Sequence, residues 1–389
     1  MLERTNVNLV IDGPPFTPRA NRLKDGLKRT AFWPVISELT TDFKVHNTYL
    51  KPDVFTNSLE EYRSMRRVAG LWDVTGEEVV EITGPDARRL IERTVPRKLD
   101  PLKPGKSLFA FLLYPHGGVV EDGVLSMFDE NRYWWVGGPG PAEVWLAANA
   151  TGLDVAVRSY LDQIHLCAIQ GPQSRDILRQ VSDIDLDAMP WFTMREGRVC
   201  GVETVVTRTG FTAELGYDIH VDVGQALDVY QGLRAIGEPL GMVLCGSQAM
   251  NIRRMEAAIL NIGAEIDWTT SPFELGWERM LDWSRDFVGR EALEPLRQSG
   301  PSRRVAGLKL DGETVAKSGD RVMADGSEAG LISSAIWGPS VEASIALAML
   351  VSPACEIGNR VTVETADGAC QADVVALPFF DPERKLARA

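Results

Sequence analysis

The stretch YPHGGVVEDG (residues 114–123) joins a glycine-rich turn directly to a carboxylate pair, Glu121 and Asp122. Apolar residues follow at once (Val124, Leu125, Met127, Phe128), so the turn stands at the mouth of a buried strand. A carboxylate held on rigid backbone beside apolar walls can be aimed at a reacting nitrogen, and burial can tune its proton affinity. Taken alone, the same residues also describe a hairpin turn with two solvated acids.

Other reactive groups are scattered. Glu214 ends the run RTGFTAE (residues 208–214), where it is either a ligand-binding carboxylate or a turn-capping acid. Arg254 and Glu256 stand two apart in a helical pattern and so do not share a face. One can meet a ligand while the other makes a structural pair, or both can brace the fold. The histidines His46, His116, His165 and His220 lack metal-ligand spacing, so no metal site is expected. The five cysteines form no CxxC and read as reduced thiols, which favours a cytoplasmic compartment. No GxSxG elbow occurs, and the Gly-rich run over 137–140 is not followed by the GK[ST] of a phosphate loop.

A chain of 389 residues suits two or three domains, and its 44% hydrophobic and 24% charged content is that of a soluble globular protein. The net charge of −13 argues against nucleic acid or an anionic membrane as partner. No apolar run reaches the roughly 18 residues of a membrane span.

The elements that must position these groups follow an α+β rhythm. Residues 1–28 read as an N-terminal arm. Residues 57–70 pattern as a helix capped by Asn57 or Ser58, with strands expected over 71–75 and 78–83. Gly84-Pro85 then opens a helix. Short strands are expected over 109–114, 119–128 and 133–137, with a helix over 142–150. The rhythm repeats: a strand over 164–169, a helix after Gly171-Pro172, strands over 199–208 and 216–223, and a helix over 225–236. The parallel between ITGPDAR (82–88) and IQGPQSR (169–175) suggests two similar lobes within residues 29–297. Residues 244–262 pattern as one long helix, and residues 267–274 as a Trp- and Pro-bearing loop. Beyond a linker near residues 298–302, short β-runs over 303–385 fit a C-terminal barrel.

Four separated stretches share an order and spacing: GGVVED (117–122), RTGFTAELG (208–216), RME (254–256) with EIDWTTSPFE (265–274), and DFVGREA (286–292). This ordered set resembles the tetrahydrofolate-dependent aminomethyltransferase family, which includes the T-protein of the glycine cleavage system. The resemblance covers roughly residues 29–380. It implies a cloverleaf of two related α+β lobes and a C-terminal β-barrel around a folate pocket. Asp122 retains the second acid of the family's GG-x-x-DD motif and is implied to be catalytic. Glu214 is implied to hold the pterin, since one carboxylate matches the 2-amino group and adjacent ring N–H. Arg254, Glu256, Phe211 and Tyr114 are expected beside the folate, and Trp268, Tyr49 and His116 on the donor side.

The chain departs from a T-protein in ways that shift the expected substrate. Glu121 replaces the first Asp, Phe211 a tyrosine and Ala213 a glycine, and Met250-Asn251 replace an Arg-Asp pair. PFELG (272–276) looks more like the demethylase-like branch, which includes dimethylsulfoniopropionate demethylases. The resemblance therefore implies methyl transfer from a small S-, N- or O-methyl donor to N5 of tetrahydrofolate. The alternatives are aminomethyl transfer from a lipoyl-bearing carrier protein and a non-enzymatic folate-binding role.

Overall fold

The computed structural model describes residues 26–389. Most of the expected arm lies outside the described residues. Lys28–Arg29 already pairs with Tyr49–Pro52, which pairs in turn with Phe43–His46, so a small three-stranded sheet precedes the lobes.

The first lobe is an antiparallel sheet in the order Lys106–Leu113, Val119–Asp129, Arg132–Gly137, Glu78–Thr83, Ala156–Ser159. Helices Ala87–Thr94 and Ala142–Asn149 contribute Leu90, Ile91, Ala142 and Leu146 to the core on this sheet. The second lobe runs Met194–Val199, Val202–Thr207, Gly216–Asp222, Ile164–Gln170, Gly70–Asp73, Val243–Leu244. The expected neighbours at 71–75 and 78–83 therefore belong to different sheets, so the chain crosses between lobes within a few residues.

The lobes share one local device. Gly84 and Gly171 follow matching strands and take φ of +134° and +133°. A Cβ at either would lie 2.5 Å from a carbonyl oxygen, of Asp154 and Met65 respectively. Only glycine fits this approach, so the two Gly-Pro turns are structurally equivalent.

Two expectations need correction. The strand over 199–208 is instead the second arm of a hairpin. Cys200 and Gly201, at φ +53° and +79°, turn the chain between Met194–Val199 and Val202–Thr207. The first arm, MREGRV, is too polar to announce itself. The long helix over 244–262 is only Ser247–Glu256. Ala258 takes φ +49° and the chain reverses, bringing Glu265 within 3.1 Å of Arg254. The alternating charges that mimic a helix face are a tertiary ion pair across this reversal.

The C-terminal unit is a closed six-stranded barrel, Arg303–Leu310, Ala343–Val351, Ser327–Gly338, Arg321–Ala324, Arg360–Thr365, Gly368–Val375. One apolar cluster joins the lobes through Trp72, Trp134, Leu166 and Ile252. Another joins the first lobe to the barrel through Phe111, Met255, Phe273 and Leu347. Among the described residues no helix is long and apolar enough to cross a membrane.

Candidate active site

Strand alternation separates the two acids of the turn. Glu121 points inward and is buried, accepting from Trp135 Nε1 at 3.1 Å and from the Ala142 amide at 2.9 Å. It meets the start of helix Ala142–Asn149, where negative charge is favoured. A Cβ on Gly137 or Gly140 would collide with its carboxylate. Asp122 faces the other way and is half-buried. Its carboxylate has no hydrogen bond to another described residue. Burial, reinforced by the charge of Glu77, pushes its pKa up to about 7.

Glu77 links the two lobes electrostatically. Its charge also reaches Asp218 in the second lobe, where burial pushes that carboxyl up to about 6. Glu77 itself sits 3.2 Å from His46. Burial pulls its pKa up, but the His46 hydrogen bond and the charges of His46 and Lys51 outweigh that and leave it below its usual value. Burial drives His220 down to about 3, so this imidazole is neutral.

A polar string runs from there to Glu214. His220 Nε2 is 3.5 Å from Thr207 Oγ1, which is 2.7 Å from Thr209 Oγ1. Thr209 donates to Asp218 at 2.6 Å, and Gln170 Nε2 donates to the same carboxylate at 3.4 Å. Thr212 Oγ1 donates to Gln170 Oε1, and the Glu214 amide donates to Thr212 Oγ1 at 3.3 Å. Glu77, Asp218, His220 and Gln170 carry no motif in one sequence, and pairing of strands Ile164–Gln170 and Gly216–Asp222 brings the last three together.

Glu214 is buried between two guanidiniums. Its Oε1 accepts from Arg66 Nη1 at 2.5 Å and from Arg253 Nε at 2.6 Å. Its Oε2 takes no hydrogen bond among the described residues. Arg66 is delivered by helix Ser58–Arg67, whose first turn is capped by Asn57 Oδ1 at the amides of Leu59 and Glu60. Acids in its first turn and arginines in its last suit the helix dipole.

The other expected residues are distributed differently. Arg254 spends its donors on Asn251, Ile259, Glu265 and Ser334. Glu256 accepts from Tyr62, Arg253 and the Ser340 amide. Both side chains thus brace the helix against the barrel. Tyr49 is fully buried, with its hydroxyl 2.7 Å from Asp162, away from the Asp122 band. Phe211 is half-buried beside the string. Tyr114, His116 and Trp268 form an outer aromatic group: His116 stacks on Tyr114 at 5.5 Å and meets the Trp268 carbonyl at 2.7 Å. Trp268 is 66% exposed. Two open surface clefts, one beside Cys200 and Arg198 and one beside Glu38 and Asp42, share no residue with the carboxylate band. Among the described residues no cluster of three or more His, Cys, Asp or Glu could hold a metal.

Two matched α+β lobes, a closed barrel and inward carboxylates define a class, and comparison identifies it. The model of the GCVT N-terminal domain matches residues 34–285, and that of the glycine cleavage T-protein C-terminal barrel domain matches residues 303–381. An aminomethyltransferase of Moorella thermoacetica is 30% identical over 87% of this chain and 93% of its own length. That of Bacillus subtilis is 29% identical over 91% and 99%. A trimethylamine-oxide aldolase of Ruegeria pomeroyi is 30% identical over 93% of this chain, which spans 48% of that longer protein. The crystal structure of the glycine cleavage system aminomethyltransferase T from Bartonella henselae superposes with a TM-score of 0.85 at 24% identity, covering 91% of this chain and 98% of that one. The chain belongs to the glycine cleavage T-protein family of aminomethyltransferases, one-carbon transferases whose acceptor is tetrahydrofolate.

Proposed function

We propose that this protein transfers a methyl group from S, N or O of a small donor to N5 of tetrahydrofolate. The observation that carries the reading is Asp122: a carboxylate without a hydrogen-bonded partner among the described residues, whose pKa is raised to about 7. A general base works best when its pKa lies near the operating pH. The chain also fits a pterin, because Glu214 keeps an unspent acceptor, Oε2, on a carboxylate whose other oxygen is fixed by two arginines. Tetrahydrofolate supplies the nucleophilic nitrogen when bound.

The role of this chain is then to bind, orient and move one proton. Glu214 holds the heterocycle. The Asp122 carboxylate takes the proton lost from nitrogen as the new N–C bond forms, while the donor heteroatom keeps the electron pair of the broken C–heteroatom bond. Glu77 adds negative charge near Asp122, which favours a methyl group carried on a positive sulfur or nitrogen. Phe211, Tyr114, Trp268 and His116 are candidates for the walls around folate and donor. The cytoplasm is the compartment that the free thiols favour.

A second reading is aminomethyl transfer from a lipoyl carrier protein. It is favoured by the aminomethyltransferases of M. thermoacetica and B. subtilis, which are similar over nearly their whole length. One screen separates the two. The protein is incubated with tetrahydrofolate and, in separate reactions, sulfonium, quaternary ammonium, methylamine or methoxy-arene donors or an aminomethylated lipoyl carrier protein, and the folate products are weighed by mass spectrometry. A 5-methyl product supports the demethylase reading. A 5,10-methylene product with ammonia, formed only from an aminomethylated lipoyl carrier, overturns it.

A further inference from the structure

Arg253 lies on helix Ser247–Glu256, and its side chain is 0% exposed. A guanidinium offers five N–H donors in a fixed plane. Its Nε and Nη2 project from one edge, and a carboxylate facing that edge ordinarily takes both, one per oxygen. Here the edge is half used. Nε bonds Glu214 Oε1 at 2.6 Å, and Nη1 reaches Glu256 Oε2 at 3.3 Å. Nη2 is buried with no partner among the described residues. Glu214 gives the fork one oxygen only, and Arg66 draws on that same Oε1 at 2.5 Å.

The surroundings hold this mismatch in place. The Phe380 ring lies 5.2 Å from the Arg253 guanidinium and 5.4 Å from that of Arg66. The Phe380 amide is fixed to the Glu256 carbonyl at 2.9 Å. A buried charged donor without an acceptor is costly and calls for an explanation. Nη2 is closed to bulk water, so a ligand acceptor that reaches it forms a charge-assisted bond without competition from solvent.

We propose that Arg253 Nη2 and Glu214 Oε2 together read a ligand edge carrying an acceptor beside a donor, and that Phe380 clamps Arg253 for this purpose. On a pterin that edge is the 4-oxo group next to N3–H, which makes Arg253 a specificity residue. The inference rests on the reading of Glu214 as the pterin anchor.

The test is equilibrium binding by calorimetry of 5-formyltetrahydrofolate and its 4-amino-4-deoxy counterpart, which inverts the edge to a 4-amino donor beside an N3 acceptor. Arg253→Lys keeps the charge beside Glu214 but loses the fork. Its affinity for the 4-oxo ligand should fall about tenfold or more, while that for the 4-amino ligand moves less than about threefold. Phe380→Leu should show the same selectivity change, smaller in size. Equal weakening of both ligands by Arg253→Lys would make Arg253 merely structural and overturn the proposal. A Phe380→Leu protein with the full 4-oxo preference would overturn the clamp. Arg253→Met is informative only if its thermal unfolding remains cooperative, and the lysine variant decides otherwise. Glu214→Gln separates the underlying reading: if it leaves both affinities unchanged, Glu214 is not the anchor and the proposal falls with it.

Discussion

The two lobes each present a carboxylate, and the two are kept in opposite states. Asp122 lies near the charge of Glu77, takes no hydrogen bond from another described residue and has a pKa raised to about 7. Glu214 is the more fully buried of the two, yet lies between Arg66 and Arg253 at 2.5 and 2.6 Å. Neighbours, not depth, decide what a carboxylate can do. A lone acid near neutrality can exchange a proton, whereas an acid fixed by two guanidiniums can only hold. The same contrast appears inside the GGVVED turn, where Glu121 is spent on the start of a helix and Asp122, one residue on, is left free.

If that division is right, substitutions in the two lobes should fail in different ways. Asp122→Asn should lower turnover about 10²–10⁴-fold while folate affinity, measured on the same preparation, stays within about threefold. Equal losses in both would erase the distinction. Glu214→Gln should do the reverse, weakening folate binding about 10- to 100-fold. Because it removes the closer of the two carboxylates paired with buried Arg253, it should also cost about 3–5 kcal/mol in urea unfolding.

Glu121→Gln tests the contrast within the turn. It should cost about 1–3 kcal/mol of stability and leave the ratio of turnover to folate affinity unchanged. The pH dependence of stability has a definite sign. Asp122 binds its proton more tightly folded than unfolded, so its contribution is present below about pH 4 and is lost as pH rises through about 7. Asp122→Asn should therefore gain stability on wild type across that window, and parallel stability curves would contradict the raised pKa. The smallest effect concerns Ala213, which takes a left-handed φ of +53° just before Glu214. Ala213→Gly should stabilise by about 1 kcal/mol, visible as a higher melting temperature.

Local signals in the sequence carried much of the fold. The Asn57 cap, the paired Gly-Pro turns and the alternating barrel strands are all legible, because each is set by residues a few positions apart. The hairpin at Cys200-Gly201 and the reversal after Glu256 are not, because tertiary pairing overrides the local pattern there. The site divides in the same way. Asp122 and Glu214 stand in motifs, but the partners that give them opposite characters come from distant segments. Arg66, Glu77 and Asp218 look like ordinary surface charges in one dimension. Arg254 and Glu256 were expected at the folate, yet the structure engages their polar atoms with the barrel and the helix. Tyr49, expected near the donor, is a fully buried residue of the N-terminal sheet whose hydroxyl donates to Asp162.

The most direct test of the account is the pH profile of single-turnover methyl transfer from a donor identified in the screen. The base role of Asp122 predicts a rate that rises with pH through an inflection near 7 in the wild type and loses that inflection in Asp122→Asn. The same inflection in both proteins would assign the titrating group elsewhere and contradict the account.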